Sequence, residues 1–328
     1  IEEPFSKEYG DFMSGYLPQG IGCYRKKLDI KKEWSDRRVF VEFEGVFRNS
    51  SLFVNGKKVG THPYGYTGVV YDITEYLNFD GGTNQIAVKI DNPEPTDIPI
   101  KGGITRIAAY PREVEADPSC EGWWYEGCGI YRHVWLIVTE PLHVANWGTF
   151  VTTPQVCRSK ASVHIRTTVQ NDTSNKKTCK VKNIIMDAEG NVIATSGKDT
   201  VIGPQTNKEV LQKFEIDSPN LWSPDNPYLY TMKTQIIADG KVTDTRYTDF
   251  GVRWFEFTAD EGFFLNGQPF QLKGVNIHHD FGGLGVALPD RANYKTVEAL
   301  KKMGCNYIRS AHNDAAPALM EACDRLGM

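Results

Sequence analysis

The sequence has no run of about 18 consecutive apolar residues, so no membrane span is expected. Its seven cysteines, Cys23, Cys120, Cys128, Cys157, Cys179, Cys305 and Cys323, form no C-x-x-C pair, which removes the usual zinc spacing. Their odd number leaves at least one thiol unpaired. Cys120 and Cys128 could bridge, but buried or free thiols are the better expectation. Charge of one sign is also lacking. Lys and Arg number 37 against 41 Asp and Glu, a net of −4 with no basic stripe, so nucleic acid is not expected as a partner. There is no Gly-rich phosphate loop, Ser-His-Asp order or metal-ligand cluster, so no cofactor is identifiable and no metal site is expected. The chain starts at Ile1 with no signal segment to read, which suggests a removed leader or a boundary. The compartment stays open, with a bacterial periplasmic or extracellular setting slightly favoured.

What is present is a long globular chain. It has 328 residues, 40% of them hydrophobic and 12% aromatic, enough for two or three domains. From residue 20 to about 138 apolar positions recur with period two. Val39, Val41 and Phe43 flank Glu42, Ile86, Val88 and Ile90 repeat the pattern, and so do Val134, Leu136 and Val138. Such alternation marks strands with one buried face and the other toward water or a neighbouring sheet. Asn55-Gly56 is a hairpin signal, because both turn positions favour positive φ. A second β region runs from about 142 to 252, with strands through Val163–Val169, Val210–Ile216 and Tyr228–Ile237. Its turns are at Asn171-Asp172, 187–190 and Asp239-Gly240. Strands at this spacing suit an immunoglobulin-like sandwich without the antibody cysteines.

After about residue 270 the pattern changes. Phe270–Ile277 reads as a strand, and Asp290 as the cap of a helix whose Tyr294, Val297, Leu300 and Met303 share a face. Cys305–Ser310 reads as a second strand, and Ala315–Leu326 as a second helix with Pro317 in its first turn. This is a βαβα run with parallel strands. Two such units cannot close a barrel, so the final domain reads as truncated. Residues 270–328 are then expected to pack on the second sandwich or on another copy of the chain.

Several segments resemble glycoside hydrolase family 2. Glu44-Gly45-Val46-Phe47-Arg48-Asn49-Ser50, running into Leu52-Phe53-Val54-Asn55-Gly56, and the stretch from Trp123 to Arg132 are similar to its sugar-binding domain. The stretch from Leu221 to Tyr230, and Phe250-Gly251-Val252-Arg253, resemble its immunoglobulin-like domain. Phe264-Leu265-Asn266-Gly267, the run Lys273 to Asp280, and Ile308 to Asn313 resemble the opening of its (β/α)8 barrel. The resemblance implies a mainly β chain: a jelly-roll sandwich over 1–140, an immunoglobulin-like sandwich over 141–252, and the first βα units of a TIM barrel over 253–328.

The resemblance also implies a retaining exo-β-glycosidase, most of all a β-galactosidase, with β-glucuronides and β-mannosides as other family substrates. Its catalytic glutamates belong to later barrel strands, so none is assigned in this chain and the chain alone is expected to be inactive. Asn276, His278, His279 and Asp280 follow the first barrel strand, and Arg309 and His312 the second, all expected on one rim. His278 and His312 match the positions that contact the non-reducing sugar in β-galactosidases, and Arg309 matches the arginine supporting the nucleophile. Asn276, His278, Asp280, Arg309 and His312 are therefore the expected substrate-binding residues. Two positions depart from the family pattern: Phe47 and Trp123 stand where an Asn and an Asp reach the sugar in some β-galactosidases. Asn313-Asp314 also replaces a more usual proline ending. Trp123, Trp124 and Tyr125 could stack on a sugar or pack between domains, the latter being the better expectation. Trp34, Trp135, Trp147, Trp222 and Trp254 read as core or interdomain residues, while His62 and His133 receive no role. The partner class is a β-linked oligosaccharide or glycoside, and a homo-oligomer is left open. The competing function is a non-catalytic carbohydrate-binding or structural sandwich protein.

Overall fold

The computed structural model describes residues 20–92, 98–100, 103–105, 127 and 129–328. Trp123, Trp124 and Tyr125, and Cys120 and Cys128, lie outside these residues. The chain is mainly β: a jelly-roll sandwich, an immunoglobulin-like sandwich and the first βα units of a TIM barrel.

In the first sandwich one sheet runs Gly20–Leu28, Asn84–Asn92, Ser50–Val54, Lys57–His62, and a facing sheet runs Val134–Thr139, Arg38–Phe43, Val69–Asp72. All of these pairings are antiparallel. The period-two residues meet as the pattern requires. Val39, Val41 and Phe43 pack against Leu52, Val54, Ile86, Val88 and Ile90 in one core. Asn55 (φ 50°) and Gly56 (φ 80°) turn the hairpin, both left-handed as the sequence suggests. Glu42, on the outer face, is not solvated. It is 9% exposed, and its Oε1 accepts from Trp147 Nε1 at 2.8 Å and Asn146 Nδ2 at 3.2 Å. The face predicted for water or a neighbouring sheet meets the second sandwich.

That second sandwich sets three strands, Leu142–Val156, Lys160–Asn171 and Thr206–Asp217, against four, in the order Val192–Ile202, Lys177–Met186, Tyr230–Ala238, Lys241–Phe250. Lys160–Asn171 buries every second side chain, and Val163, Ile165, Ile185 and Met232 form the centre of the core. Two of its buried polar side chains pair with each other: Thr234 Oγ1 donates to Asn183 Oδ1 at 2.6 Å. The first strand bulges, with a register shift between Val144 and Thr149 that turns Trp147 outward. Of the tryptophans expected in the core or between domains, Trp222 is buried and Trp147, though 75% exposed, bonds across to Glu42 of the first sandwich, while Trp135 is 49% exposed and bonds to Glu44 within its own sandwich.

A hairpin of Phe255–Thr258 and Gly262–Leu265 leads into the βα units. Gly274–Ile277 pairs in parallel with Tyr307–Ser310, and the helices are α1, Asp290–Lys302, and α2, Pro317–Leu326. The first strand is shorter than expected, because the Phe270 N–H bonds to the Phe263 carbonyl and so extends the hairpin. The N-cap of α1 is Pro289, not Asp290, whose carboxylate is taken by His133. Val297, Leu319 and Ala322 form a small core with Ile277 and Ile308. At the end of α2, Gly327 (φ 79°) carries the left-handed cap, and an added Cβ would lie 2.3 Å from the Pro224 carbonyl oxygen.

Candidate functional site

The parallel pairing sets Asn276 opposite Arg309 and Ile277 opposite Ser310. Both strands then run out on the same edge, into His278–Asp280 and Ala311–Asp314. That edge is where barrel enzymes build their sites. The His278 and His312 rings meet edge to face, centroids 5.5 Å apart and planes at 76°. Arg309 Nη2 lies 3.3 Å from His312 Nδ1. A guanidinium has no acceptor, so Nδ1 accepts there and the imidazole proton sits on Nε2. Asn276, Arg309 and His312 are exposed, while His278 and Asp280 are half-buried. The structure thus brings His278, Arg309 and His312 together and sets Asn276 and Asp280 on the same two segments.

His279 is the exception. Successive side chains of an extended segment point to opposite sides, and His279 turns from the rim into the first sandwich. Its ring lies 5.0 Å from Tyr66 and 6.5 Å from Tyr131, centroid to centroid. Burial, reinforced by the nearby Arg132 charge and opposed by Asp280, pushes its pKa down to about 4. Among the described residues, neither of its buried ring nitrogens has a hydrogen-bond partner. Tyr131 is buried as well, which pushes its phenol up to about 12, and its hydroxyl donates to the Gly65 carbonyl at 2.9 Å. Phe47 joins Tyr66, Tyr131 and Val286 in a small buried cluster rather than standing at the rim.

The loop after the second strand is held by the first sandwich. Tyr64 Oη donates to Asn313 Oδ1 at 2.8 Å, and Arg132 Nη2 donates to the Asp314 carbonyl at 2.8 Å. His133 Nε2 lies 2.9 Å from Asp290 Oδ1 at the start of α1. Sequence reasoning gave Tyr64 and His133 no role. The available signals were the departure at Asn313-Asp314 and the position of Arg132 inside a quoted motif. Both helices pack on the second sandwich as expected: from α2, the Asp324 carbonyl accepts from Trp222 Nε1 at 2.8 Å and Arg325 pairs with Asp249 at 3.1 Å, and from α1, Lys301 Nζ donates to Pro224 O at 2.8 Å. The contacts to the first sandwich go beyond the expectation, which named the second sandwich or another copy of the chain.

Three family models match consecutive stretches: glycosyl hydrolases family 2, sugar binding domain, over 14–141; glycosyl hydrolases family 2 over 143–253; and its TIM barrel domain over 257–328. A β-galactosidase of Bacteroides ovatus is 38% identical across 100% of this chain, which covers 36% of that protein. A crystal structure of a family 2 member from Bacteroides cellulosilyticus superposes with TM-score 0.87 at 37% identity, covering 99% of this chain and 39% of that one. A Bacteroides uniformis β-glucuronidase superposes with TM-score 0.82 at 31% identity, covering 95% of this chain and 36% of that one. The chain thus spans well under half the length of each.

Proposed function

The chain belongs to glycosyl hydrolase family 2, and from that premise we propose that it is the N-terminal part of a retaining exo-β-glycosidase acting on terminal β-galactosides. In this reading 1–140 and 141–252 are the two sandwich domains, and 253–328 begins the catalytic barrel. The observation that carries it is the rim: His278 and His312 packed edge to face, with Arg309 on His312. A sugar hydroxyl can both donate and accept, and an imidazole with one N–H and one bare nitrogen meets it in either sense. With Nδ1 taken by Arg309, His312 offers its Nε2–H to a hydroxyl oxygen, and Asp280 and Asn276 supply further acceptors. Arg309 thereby fixes the ring of His312.

A β-glucuronide would ask for a cation turned toward the sugar carboxylate. Arg309 on this rim is engaged by His312 instead, which favours the neutral galactoside, in keeping with the relative from B. ovatus. Retaining hydrolysis needs two carboxyl groups about 5–5.5 Å apart across the scissile bond. The two loops leaving these strands, 278–289 and 311–316, contain no glutamate, and their aspartates are Asp280 and Asp314. This chain therefore contributes binding and not the bond-breaking pair.

Calorimetric titration with methyl β-galactoside tests the reading. Weak binding is expected, on the order of millimolar, and at least about tenfold weaker in His312→Ala. An aryl β-galactoside should be turned over no faster than by a heat-inactivated sample. Equal affinity in His312→Ala, tighter binding of methyl β-glucuronide, or turnover that vanishes in Asp280→Asn would contradict it.

A further inference from the structure

The bulged first strand of the second sandwich opens a cleft of about 680 Å³ between both sandwiches and α2. No residue of the His278–His312 rim lines it. Two aromatic side chains flank it with unusual exposure, Trp147 at 75% and Tyr247 at 62%. Trp147 is also held in a conformation that a bulky residue rarely adopts, with φ 52°. The ring does not swing freely. Its indole Nε1 is pinned at 2.8 Å to Glu42, a carboxylate of the other sandwich that is itself buried, so the polar edge is anchored while the faces stay open. A strained backbone that presents a fixed, bare aromatic face is more often found at a ligand site than at an ordinary surface turn.

The charges around the cleft select among ligands. Arg325 is held by Asp249 and Glu321, and Arg246 by Asp244, so these cations are already engaged. Glu42 and Asp324 add two carboxylates to the lining. The cleft is therefore a poor host for phosphates, uronates or other anions. A neutral molecule with an apolar face and many hydroxyls fits it: the C–H face stacks on the ring, and the hydroxyls reach the engaged carboxylates and guanidinium groups at the walls. The volume lies within the range of small-molecule sites and would take a disaccharide.

We propose that this cleft is a second carbohydrate-binding site, taking a neutral disaccharide unit on Trp147. The site lets the chain hold a polymeric or branched glycan through a contact that does not depend on the rim.

The test is ¹⁹F NMR of the full chain labelled with 5-fluorotryptophan, the Trp147 resonance being assigned with Trp147→Phe. Lactose and cellobiose are the probes. The Trp147 resonance should shift and saturate, with a Kd on the order of millimolar. It should do so equally in His312→Ala, and at least about tenfold more weakly in Tyr247→Ala. A Trp147 resonance unmoved by either sugar at roughly ten times that concentration overturns the proposal. So does a shift that is unchanged in Tyr247→Ala. So does a resonance that moves with protein concentration alone, which would make the cleft a contact between copies of the chain. Loss of the shift in His312→Ala would assign the sugar to the rim instead.

Discussion

In the second sandwich, Lys160–Asn171 buries every other side chain against its own facing sheet. In the βα units neither Gly274–Ile277 nor Tyr307–Ser310 contains a fully buried residue. The sandwich carries two cores of its own, around Ile165 and around Val181. The βα units carry the small Val297, Leu319 and Ala322 cluster, and otherwise depend on groups from elsewhere: Tyr64, Arg132 and His133 on one side, Trp222, Pro224 and Asp249 on the other. Burying an apolar side chain is worth about 1.5–3 kcal/mol and a typical hydrogen bond about 0.5–1.5 kcal/mol. The sandwich is thus stabilised mostly by burial. The rim is placed mostly by directional polar contacts, which hold a shape more than they add stability.

The comparison is broken most sharply by removing a core residue. Ile165→Ala should cost about 2–5 kcal/mol, because a fully buried side chain leaves a cavity. In urea unfolding the midpoint should fall for strand and helix signals together, since the βα units lean on this sandwich. A helix signal that stays put would show that 270–328 needs no such support.

The second effect is one of pH. The His279 pKa is lowered from 6.5 to about 4, chiefly by burial, so the unfolded chain binds the proton and the folded one resists it. The stability this group contributes is full above pH 6.5 and is lost as pH falls toward 4, on the order of 2 kcal/mol after allowing for partial exposure. His279→Phe, which keeps an aromatic ring between Tyr66 and Tyr131, should unfold in urea with a flatter dependence between pH 7 and 4. His143, buried and also shifted down by burial, acts in both proteins and cancels from the difference. Parallel curves for the two proteins would contradict this account of His279.

The smallest expected effect is at the exposed end of α2. Arg325→Ala removes solvent-exposed ion pairs to Asp249 and Glu321 and should change the unfolding free energy by less than about 1 kcal/mol. Amide exchange in 317–326 should nonetheless quicken while Lys160–Asn171 is unaffected. Equal acceleration in both would erase the distinction between the two regions.

The same physics decides what could be read in advance. Alternation in Val39–Phe43 or Val163–Val169 reports a face buried by the element's own sheet, and it transfers directly to structure. Asn276, His278, Asp280, Arg309 and His312 were legible as a group, because their places follow from two strands and one rule about barrel edges. Glu42, Trp147, His133 and His279 were not. Each owes its environment to a residue roughly a hundred or more positions away in sequence, or to a bulge that shifts register, and neither leaves a local pattern. Asp290 looked like a cap for the same reason: nothing nearby announces that His133 will take its carboxylate.

The central claim is that the rim recognises sugar because the first sandwich holds its second loop in place. Imidazole-detected NMR of the ¹⁵N-labelled chain tests this directly, with methyl β-galactoside added to the native protein and to Arg132→Ala, which frees the Asp314 carbonyl. The account predicts that the His278 and His312 signals shift with sugar in the native chain while His143 and His164 stay still, and that the response weakens several-fold in Arg132→Ala. Shifts confined to other histidines, or an undiminished response in Arg132→Ala, would contradict it.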